Sequence, residues 1–234
     1  MAHEQEQTST TRVLLVRHAQ SHASVKKLIA GSRTCPGLTE QGREQAARLS
    51  ARLAAEPPRP HALLTSPVRR ARETAEILAS GLELGAPVVE TEARELDFGA
   101  ADGLSIDEYQ RVHGAFDMTA HPDRPFAPDG ETWNRFRARA GRVVDDLVSR
   151  HLGGTVLVVC HSGFIVAVMS ALLDVVPPVL FTDATPAATS INEFVHDGSR
   201  WRLLRFDDAR HLDTYEDGGT STGPYEGSGT ATVP

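Results

Sequence analysis

Residues 13–18 read VLLVRH, an apolar run that ends in an arginine and a histidine. The run is too short for a helix, and it lacks the polar and apolar alternation of a half-exposed strand. Strands buried on both faces of a parallel sheet have this composition. The stretch therefore predicts a central parallel strand, with Arg17 and His18 at its carboxyl end.

A second apolar strand, residues 155–160 (TVLVVC), is followed by His-Ser-Gly at 161–163. The next segment, FIVAVMSALL, is apolar on every side, as expected of a helix buried against a sheet. Ligands of open α/β sheets bind at the carboxyl ends of the strands. We therefore expect His18 and His161 to project into the same crevice.

Elsewhere the chain alternates helical patterns with short strands and ends in a hairpin pattern. The first predicted helix has Thr39 as its N-cap and ends before Pro57 and Pro58, and a strand follows at 61–65. The next helix has Ser66 as its N-cap and Pro67 at its first position, and a third helix covers 129–151. Strands at 189–196 and 201–206 flank an Asp197-Gly198 turn.

This alternation implies an α/β fold: a three-layer sandwich with a mostly parallel central sheet, helices on both faces and an antiparallel edge hairpin. Residues 97–128 lack a clear periodicity and carry several Pro, Gly and Asp, so they predict an inserted cap segment over the site. The polar ends, residues 1–11 and 212–234, are predicted to be flexible. Residues 12–211 then form one domain.

The composition excludes several classes of partner. Among 234 residues, 24 basic and 31 acidic side chains give a net charge of −7, which disfavours nucleic acid and anionic membrane surfaces. His-Ser-Gly interrupts the most membrane-like stretch, residues 156–173, so we predict no membrane span. Cys35 and Cys160 are too few for a disulfide framework and lack metal-ligand spacing. With no secretory signal at the N-terminus, these features predict a cytoplasmic protein.

Arginines near the two histidines predict a phosphate pocket. Arg17 precedes His18, and either Arg69 or Arg70 lies in the first turns of the helix after residue 66. Guanidinium groups match phosphate oxygens in a bidentate fashion, and the helix that begins near Ser162 offers free backbone N–H groups to the same kind of ligand. Any ligand is therefore expected to be a small phosphorylated molecule.

With these motifs the chain resembles the histidine phosphatase superfamily, also called the phosphoglycerate-mutase-like or RHG family. The resemblance covers essentially the whole folded unit, through LLVRHAQS, TSPVRRARETA, RELDFGAADG, DGETW, VVCHSGFI and TSINEF. It implies that His18 is the nucleophile that becomes phosphorylated, and that Arg17, Arg70 and His161 hold the transferring phosphoryl group. Glu95 would protonate the leaving oxygen and later deprotonate water. No metal or other cofactor is implied.

The resemblance also places supporting residues. Ser162 and Gly163 fall where the family has backbone donors close to the phosphate. The family's arginine, alanine and threonine pattern selects Arg70 over Arg69, which is left as a rim charge. Ser24 stands where many members carry a phosphate-contacting asparagine, so its hydroxyl is the expected contact.

Departures from the family pattern bear on the substrate more than on the chemistry. Ala19, Gln20 and Ala101 replace the usual glycine, glutamate and tryptophan. Selectivity is expected to lie in residues 22–37 and 97–128. The chemistry itself is consistent with the residues, because neighbouring guanidinium groups keep an imidazole neutral and nucleophilic.

Three functions fit this pattern. A phosphomonoester hydrolase, of the histidine acid-type phosphatases, is favoured over a cofactor-dependent phosphoglycerate mutase, because residues 22–40 lack the asparagine-containing stretch and the NRFxGW-like segment of mutases. A catalytically silent phospho-ligand binding module is disfavoured, because it would need neither His18 nor Glu95. The role of Glu131 stays open: it either caps the helix that follows or forms part of the pocket wall. The oligomeric state also stays open, with a homodimer and a monomer both compatible with the sequence.

Other chemistries are less compatible with the sequence. A cysteine phosphatase needs an arginine six positions after its cysteine, where this chain has Gln41 and Val166. A P-loop motif is missing from the sequence. His18 and His22 are four residues apart, but they follow a strand and have no third ligand nearby, so a metal pair is disfavoured.

Overall fold

The computed structural model describes residues 10–114, 117–118, 120–175 and 185–213. Within these ranges the elements are β1 (Thr11–Arg17), α1 (His22–Val25), α2 (Glu40–Ala55), β2 (Ala62–Thr65), α3 (Arg69–Gly81), β3 (Val88–Val89), α4 (Ile106–His113), α5 (Trp133–Arg150), β4 (Thr155–Cys160), α6 (Ser162–Leu173), β5 (Ile191–His196) and β6 (Trp201–Asp208).

The strands form one sheet in the order β3-β2-β4-β1-β5-β6. The first four strands of this order pair in parallel, and β5 and β6 form an antiparallel hairpin at the other edge. This confirms the predicted α/β fold with its mostly parallel sheet and edge hairpin.

The prediction for β1 needs one correction. Its neighbour β4 is parallel, but its other neighbour β5 is antiparallel, because the hairpin joins the sheet at β1.

Helices cover both faces of the sheet, as predicted. Successive side chains of a strand point to opposite faces, and in β1 they enter two separate cores. Leu14 and Val16 pack with apolar residues of α2 and α3. Val13 and Leu15 pack with those of α5 and α6. The sheet is therefore packed between α2 and α3 on one face and α5 and α6 on the other.

The predicted N-terminus of the third helix is wrong. The helix α3 begins at Arg69, and its N-cap, Val68, makes no side-chain capping bond. Instead, the backbone N–H of Ser66 donates to the carbonyl oxygen of Val159 at 2.9 Å, and its hydroxyl lies 2.7 Å from Nε2 of His161. Ser66 therefore extends the strand pairing toward the predicted site instead of opening the helix.

The long helix α5 also begins later than predicted. Its N-cap is Thr132, whose hydroxyl accepts from the N–H of Arg135 at 3.2 Å. The preceding Glu131 lies outside the helix, and its N–H donates to the carbonyl oxygen of Asp97 at 2.8 Å. This bond ties the start of α5 to the loop before α4.

The predicted cap, residues 97–128, contains α4 and lies against the loop after α1. The N–H of Ile29 donates to the carbonyl oxygen of Leu104, and that of Gly103 to the carbonyl oxygen of Ile29. The boundaries of the domain and of the cap stay predictions, and the two predicted flexible ends lie almost entirely outside the described residues. None of the helices in the described ranges is long and apolar enough to cross a membrane.

Candidate active site

The carboxyl ends of β1 and β4 bring two histidines together. His18 follows β1 and His161 follows β4, and the backbone N–H of His18 donates to the carbonyl oxygen of Cys160 at 2.9 Å. The centroids of the two imidazole rings are 5.2 Å apart, with the ring planes at 62°. Both side chains are buried. The two histidines therefore share one crevice, where the strand ends meet.

Arg70 connects the two rings. It is the second residue of α3 and is buried. Its Nε–H donates to Nε2 of His18 at 2.8 Å, and Nη2 donates to Nδ1 of His161 at 3.1 Å. Nη1 donates to the carbonyl oxygen of Ala30 at 2.7 Å. One guanidinium group thus contacts both imidazoles and is anchored by the loop after α1.

These hydrogen bonds determine the tautomer of each ring. A backbone carbonyl can only accept, so Nδ1 of His18, 2.8 Å from the carbonyl oxygen of Ala19, carries the hydrogen. Nε2 of His18 therefore keeps the lone pair that a nucleophilic imidazole needs. In His161, Nδ1 accepts from Arg70, so Nε2 carries the hydrogen and donates to the hydroxyl of Ser66.

Arg17 adds a second buried cation. Its Nη1 donates to the carbonyl oxygen of Pro186 at 2.6 Å, while its Nε has no hydrogen-bond partner among the described residues. Burial lowers the pKa of Arg17 to about 10, so the group stays charged at neutral pH. A buried, charged N–H without a partner is a donor that an anion can satisfy.

Burial lowers the pKa of His18 and of His161 well below the usual range, and the nearby charge of Arg70 adds to the effect. An imidazolium here would lose its hydration and face a fixed guanidinium. Both rings are therefore neutral at neutral pH.

The neutral histidines should make the stability of the protein depend on pH. An unfolded histidine titrates near pH 6.5, whereas folded His161 resists protonation. Below about pH 6.5 the unfolded state binds more protons, so this group lowers the free energy of unfolding as the pH falls. In His161→Asn, whose amide can still accept from Arg70, we expect this slope to be smaller by up to about 1.4 kcal/mol per pH unit. Urea unfolding at several values between pH 5 and pH 7 measures the slope, and parallel profiles for the two proteins would contradict the expectation.

Glu95 reaches the same place from the loop between β3 and α4. Its Oε2 accepts from the N–H of Gly163 at 3.2 Å, and its Oε1 accepts from the N–H of Leu96 at 3.0 Å. A Cβ at position 163 would clash with Oε1 of Glu95, so any larger residue there would displace this carboxylate. Burial raises the pKa of Glu95, which lets the carboxyl group hold a proton at a higher pH than an exposed one.

A buried ion pair that the sequence analysis missed supports the loop of Glu95. Arg139 of α5 donates to the carbonyl oxygens of Arg94 at 3.0 Å and of Glu95 at 3.3 Å, and it pairs with Glu131 at 2.7 Å. Glu131 also accepts from the N–H of Asp97 at 3.3 Å. In the structure the carboxylate of Glu131 thus contacts Arg139 and the backbone of the loop that carries Glu95.

The N-terminus of α6 lies at the histidine pair. The helix begins at Ser162, directly after His161, and a helix N-terminus favours anions through its unpaired N–H groups. The N–H of Gly163 is already used by Glu95. Of the two residues predicted to offer backbone N–H groups to the phosphate, Ser162 is therefore the one whose N–H is not bonded to Glu95.

The structure gives Ser24 a different role from the predicted phosphate contact. Its hydroxyl donates to the carbonyl oxygen of Ser21 at 2.7 Å and accepts from the N–H of Ser21 at 3.0 Å, completing a capping box of α1. Local helix capping thus satisfies this hydroxyl.

Arg69 is exposed and pairs with Glu73 at 2.7 Å, away from the two rings. His22 is exposed, and within the described ranges no three His, Cys, Asp or Glu side chains converge as a metal site would require.

Comparison with known proteins gives a consistent picture. The family model of the histidine phosphatase superfamily (branch 1) matches residues 13–209. The chain is 26% identical over 221 residues to phosphoglycerate mutase-like protein 4 of Arabidopsis thaliana, covering 89% of this chain and 90% of that protein. It is 32% identical over 174 residues to the 2,3-bisphosphoglycerate-dependent phosphoglycerate mutase of Brucella melitensis, covering 70% and 82%. The solved structure of a mycobacterial glucosyl-3-phosphoglycerate phosphatase matches with a TM-score of 0.72 at 27% identity, over 85% of this chain and 99% of that one. The chain therefore belongs to the histidine phosphatase superfamily.

Proposed function

We propose that this protein is a metal-independent phosphomonoester hydrolase that acts through a phosphohistidine on His18. In the first half-reaction, Nε2 of His18 attacks phosphorus and the ester P–O bond breaks. The carboxyl group of Glu95 gives its proton to the leaving alcohol oxygen. Arg17 and Arg70 stabilise the negative charge on the non-bridging oxygens during the transfer.

In the second half-reaction, Glu95 acts as a base. Its carboxylate takes a proton from a water molecule, whose oxygen attacks the phosphorus of phosphohistidine, and the P–N bond breaks. The products are inorganic phosphate, neutral His18 with its lone pair restored, and protonated Glu95. The two steps consume one water molecule and no cofactor.

The observation that carries this proposal is the placement of Arg70 between two neutral rings. Its N–H groups contact Nε2 of His18 and Nδ1 of His161, while the Nε–H of the neighbouring Arg17 has no partner among the described residues. The oxygens of a phosphoryl group can accept from these donors, and its phosphorus then lies next to the lone pair of Nε2. Binding of the substrate thus frees the nucleophile from its hydrogen bond to Arg70.

A phosphoglycerate mutase is the second candidate, because one of the relatives above, at 32% identity, has this activity in its name. Such an enzyme forms the same phosphohistidine but returns the phosphoryl group to an organic acceptor instead of water. A silent binding module is a third, weaker candidate, because it has no use for a neutral nucleophile beside a buried carboxyl group whose pKa is raised.

Product analysis separates these functions. We expect the protein to release inorganic phosphate from p-nitrophenyl phosphate and from a panel of small phosphomonoesters, without need of 2,3-bisphosphoglycerate. Interconversion of 2- and 3-phosphoglycerate that depends on 2,3-bisphosphoglycerate and exceeds phosphate release would favour the mutase. Binding of the esters without turnover would favour the binding module.

The same assay tests metal independence. Rates with excess EDTA should equal those without it, whereas vanadate should inhibit, because it resembles the phosphoryl group in transfer. Loss of activity with EDTA that an added divalent ion restores would overturn this part of the proposal. Both cysteines are free thiols, which suits the reducing cytoplasm that we propose as the location.

A further inference from the structure

Each of the two arginines proposed to bind phosphate lies one peptide group away from an acidic side chain. The carbonyl oxygen of the peptide group accepts from the guanidinium, and the N–H of the same peptide group donates to the carboxylate. We infer that Asp102 is a positioning residue for Arg70. Asp207 has the same role toward Arg17. This inference rests on the proposed function, in which both arginines bind the phosphoryl group.

The peptide group between Ala30 and Gly31 connects Arg70 to Asp102. Nη1 of Arg70 donates to the carbonyl oxygen of Ala30 at 2.7 Å, and the N–H of Gly31 donates to Oδ1 of Asp102 at 2.8 Å. Because a trans peptide group is planar, its C=O and N–H point in opposite directions. The guanidinium and the carboxylate therefore lie on opposite sides of one rigid group. A Cβ on residue 31 would lie 2.7 Å from Oδ2 of Asp102, so a larger residue there would displace the carboxylate.

The carboxylate of Asp102 is itself firmly held. The side chain is 5% exposed, and its Oδ2 accepts from the N–H of Arg33 at 3.2 Å. The hydroxyl of Thr34 donates to Oδ1. Asp102 belongs to the predicted cap, residues 97–128, and all these donors belong to the loop after α1. The cap thus fixes this loop at the point where the loop contacts Arg70.

The peptide group between Pro186 and Ala187 connects Arg17 to Asp207. Nη1 of Arg17 donates to the carbonyl oxygen of Pro186 at 2.6 Å, and the N–H of Ala187 donates to Oδ1 of Asp207 at 2.5 Å. The backbone N–H of Asp207 donates to Oδ1 of the buried Asn192 at 2.9 Å, which holds the strand β6 at this position. Asp207 is exposed. Because water competes for an exposed carboxylate, we expect its effect to be smaller than that of Asp102.

The intervening peptide group keeps the charge of each arginine available to a ligand. A carboxylate in direct contact occupies the N–H groups of a guanidinium and offsets its charge. Arg139 is such a case, because its Nε and Nη2 both donate to Glu131. By contrast, Nε of Arg17 has no partner among the described residues, and Nε and Nη2 of Arg70 contact the two imidazoles. The carboxylate acts through the peptide group, since a hydrogen bond to the N–H makes the carbonyl oxygen a stronger acceptor.

Binding of orthovanadate to the full chain tests this role without turnover. By isothermal titration calorimetry we expect Asp102→Ala to bind vanadate at least about tenfold more weakly than the natural protein. Asp102→Asn keeps an oxygen that accepts from the N–H of Gly31, so its affinity should stay within about threefold. Asp107→Ala is the matched control, because Asp107 is exposed in the first turn of α4 and belongs to the same cap. Equal weakening in Asp102→Ala and Asp107→Ala would show a general charge effect and would contradict the inference.

Double-mutant cycles separate positioning from a general loosening of the fold. A lysine at position 70 has a single nitrogen, which cannot reach Ala30 and a phosphoryl group together. In Arg70→Lys, the further change Asp102→Ala should therefore weaken vanadate binding by less than about threefold, whereas in Arg17→Lys it should still weaken binding by about tenfold. Asp207→Ala should give the reverse pattern. Its loss, about three- to fivefold alone, should disappear in Arg17→Lys and persist in Arg70→Lys.

A merely structural role of the two acidic residues would weaken binding alike in every background. Additive losses in all the cycles would therefore overturn the inference. Urea unfolding shows which variants keep the fold. If Asp102→Ala does not fold, the cycle of the exposed Asp207 with Arg17 decides, and additivity in that cycle would overturn the inference.

Failure of this inference differs from failure of the proposed function. Hydrolysis of p-nitrophenyl phosphate that requires His18 tests the function, whereas vanadate binding tests the two arginines. If hydrolysis occurs and the losses are additive, only the positioning roles are wrong. If the specific coupling is found without hydrolysis, the positioning roles stand and the catalytic proposal is wrong.

Discussion

Replacing His18 with alanine is expected to lower kcat for p-nitrophenyl phosphate by at least about 10⁴-fold, the scale of loss when a covalent nucleophile is removed. His161 cannot take over its role. Its Nδ1 accepts from Arg70, and its Nε2 carries a hydrogen that is donated to Ser66. The variant should also fail to form a base-stable phosphoenzyme when a radiolabelled ester is added and the reaction is quenched in alkali, whereas the natural protein should form one.

His22→Ala is the control for this change. His22 lies four residues further along the chain, exposed at the start of α1, and no step of the reaction uses it. This variant should retain the full rate. Urea unfolding of both variants shows whether the fold persists. If folded His18→Ala keeps a rate within tenfold of the natural protein, His18 is not the nucleophile.

The fold and the histidine pair could be predicted because both depend on local sequence. Apolar runs with no polar alternation mark β1 and β4, and each run ends at the residue before a charged or titratable group. Because β1 and β4 are parallel neighbours, their carboxyl ends lie side by side, and His18 and His161 follow these ends directly. Arg70 was selected over Arg69 only by the family pattern, but the structure supplies a physical reason: Arg70 is buried, whereas Arg69 is exposed.

Features that depend on distant contacts were not predictable in the same way. Ser66 has the residue type of an N-cap, and only the position of His161 shows why its hydroxyl is used elsewhere. Ser24 is a local exception: its hydroxyl completes the capping box with Ser21, and the family pattern at that position gave no sign of this role. Arg139 did leave a signal, since it lies on the buried stripe of α5, three residues after Phe136. Its partner Glu131, however, could not be inferred, because a buried arginine can pair with any acidic residue that the fold brings near it.

Replacing Glu95 with glutamine should separate the two halves of the reaction. Glutamine keeps the size of the side chain but can neither give nor take the proton. For an alkyl ester such as benzyl phosphate, whose leaving alkoxide needs protonation, we expect kcat/KM to fall by about 10² to 10⁴-fold. For p-nitrophenyl phosphate, whose leaving group is stable as an anion, kcat/KM should fall much less.

The steady-state rate of Glu95→Gln should still be low with p-nitrophenyl phosphate, because the second half-reaction has lost its base. We therefore expect a burst of p-nitrophenolate close to one equivalent of enzyme in stopped-flow measurements, followed by slow turnover. In the natural protein, kcat/KM for benzyl phosphate should decline as the pH rises through the raised pKa of Glu95, because only the protonated carboxyl group can act as the acid. This decrease in kcat/KM at high pH should be missing in Glu95→Gln. Equal losses of kcat/KM for both esters, with no burst, would remove Glu95 from the role of acid and base.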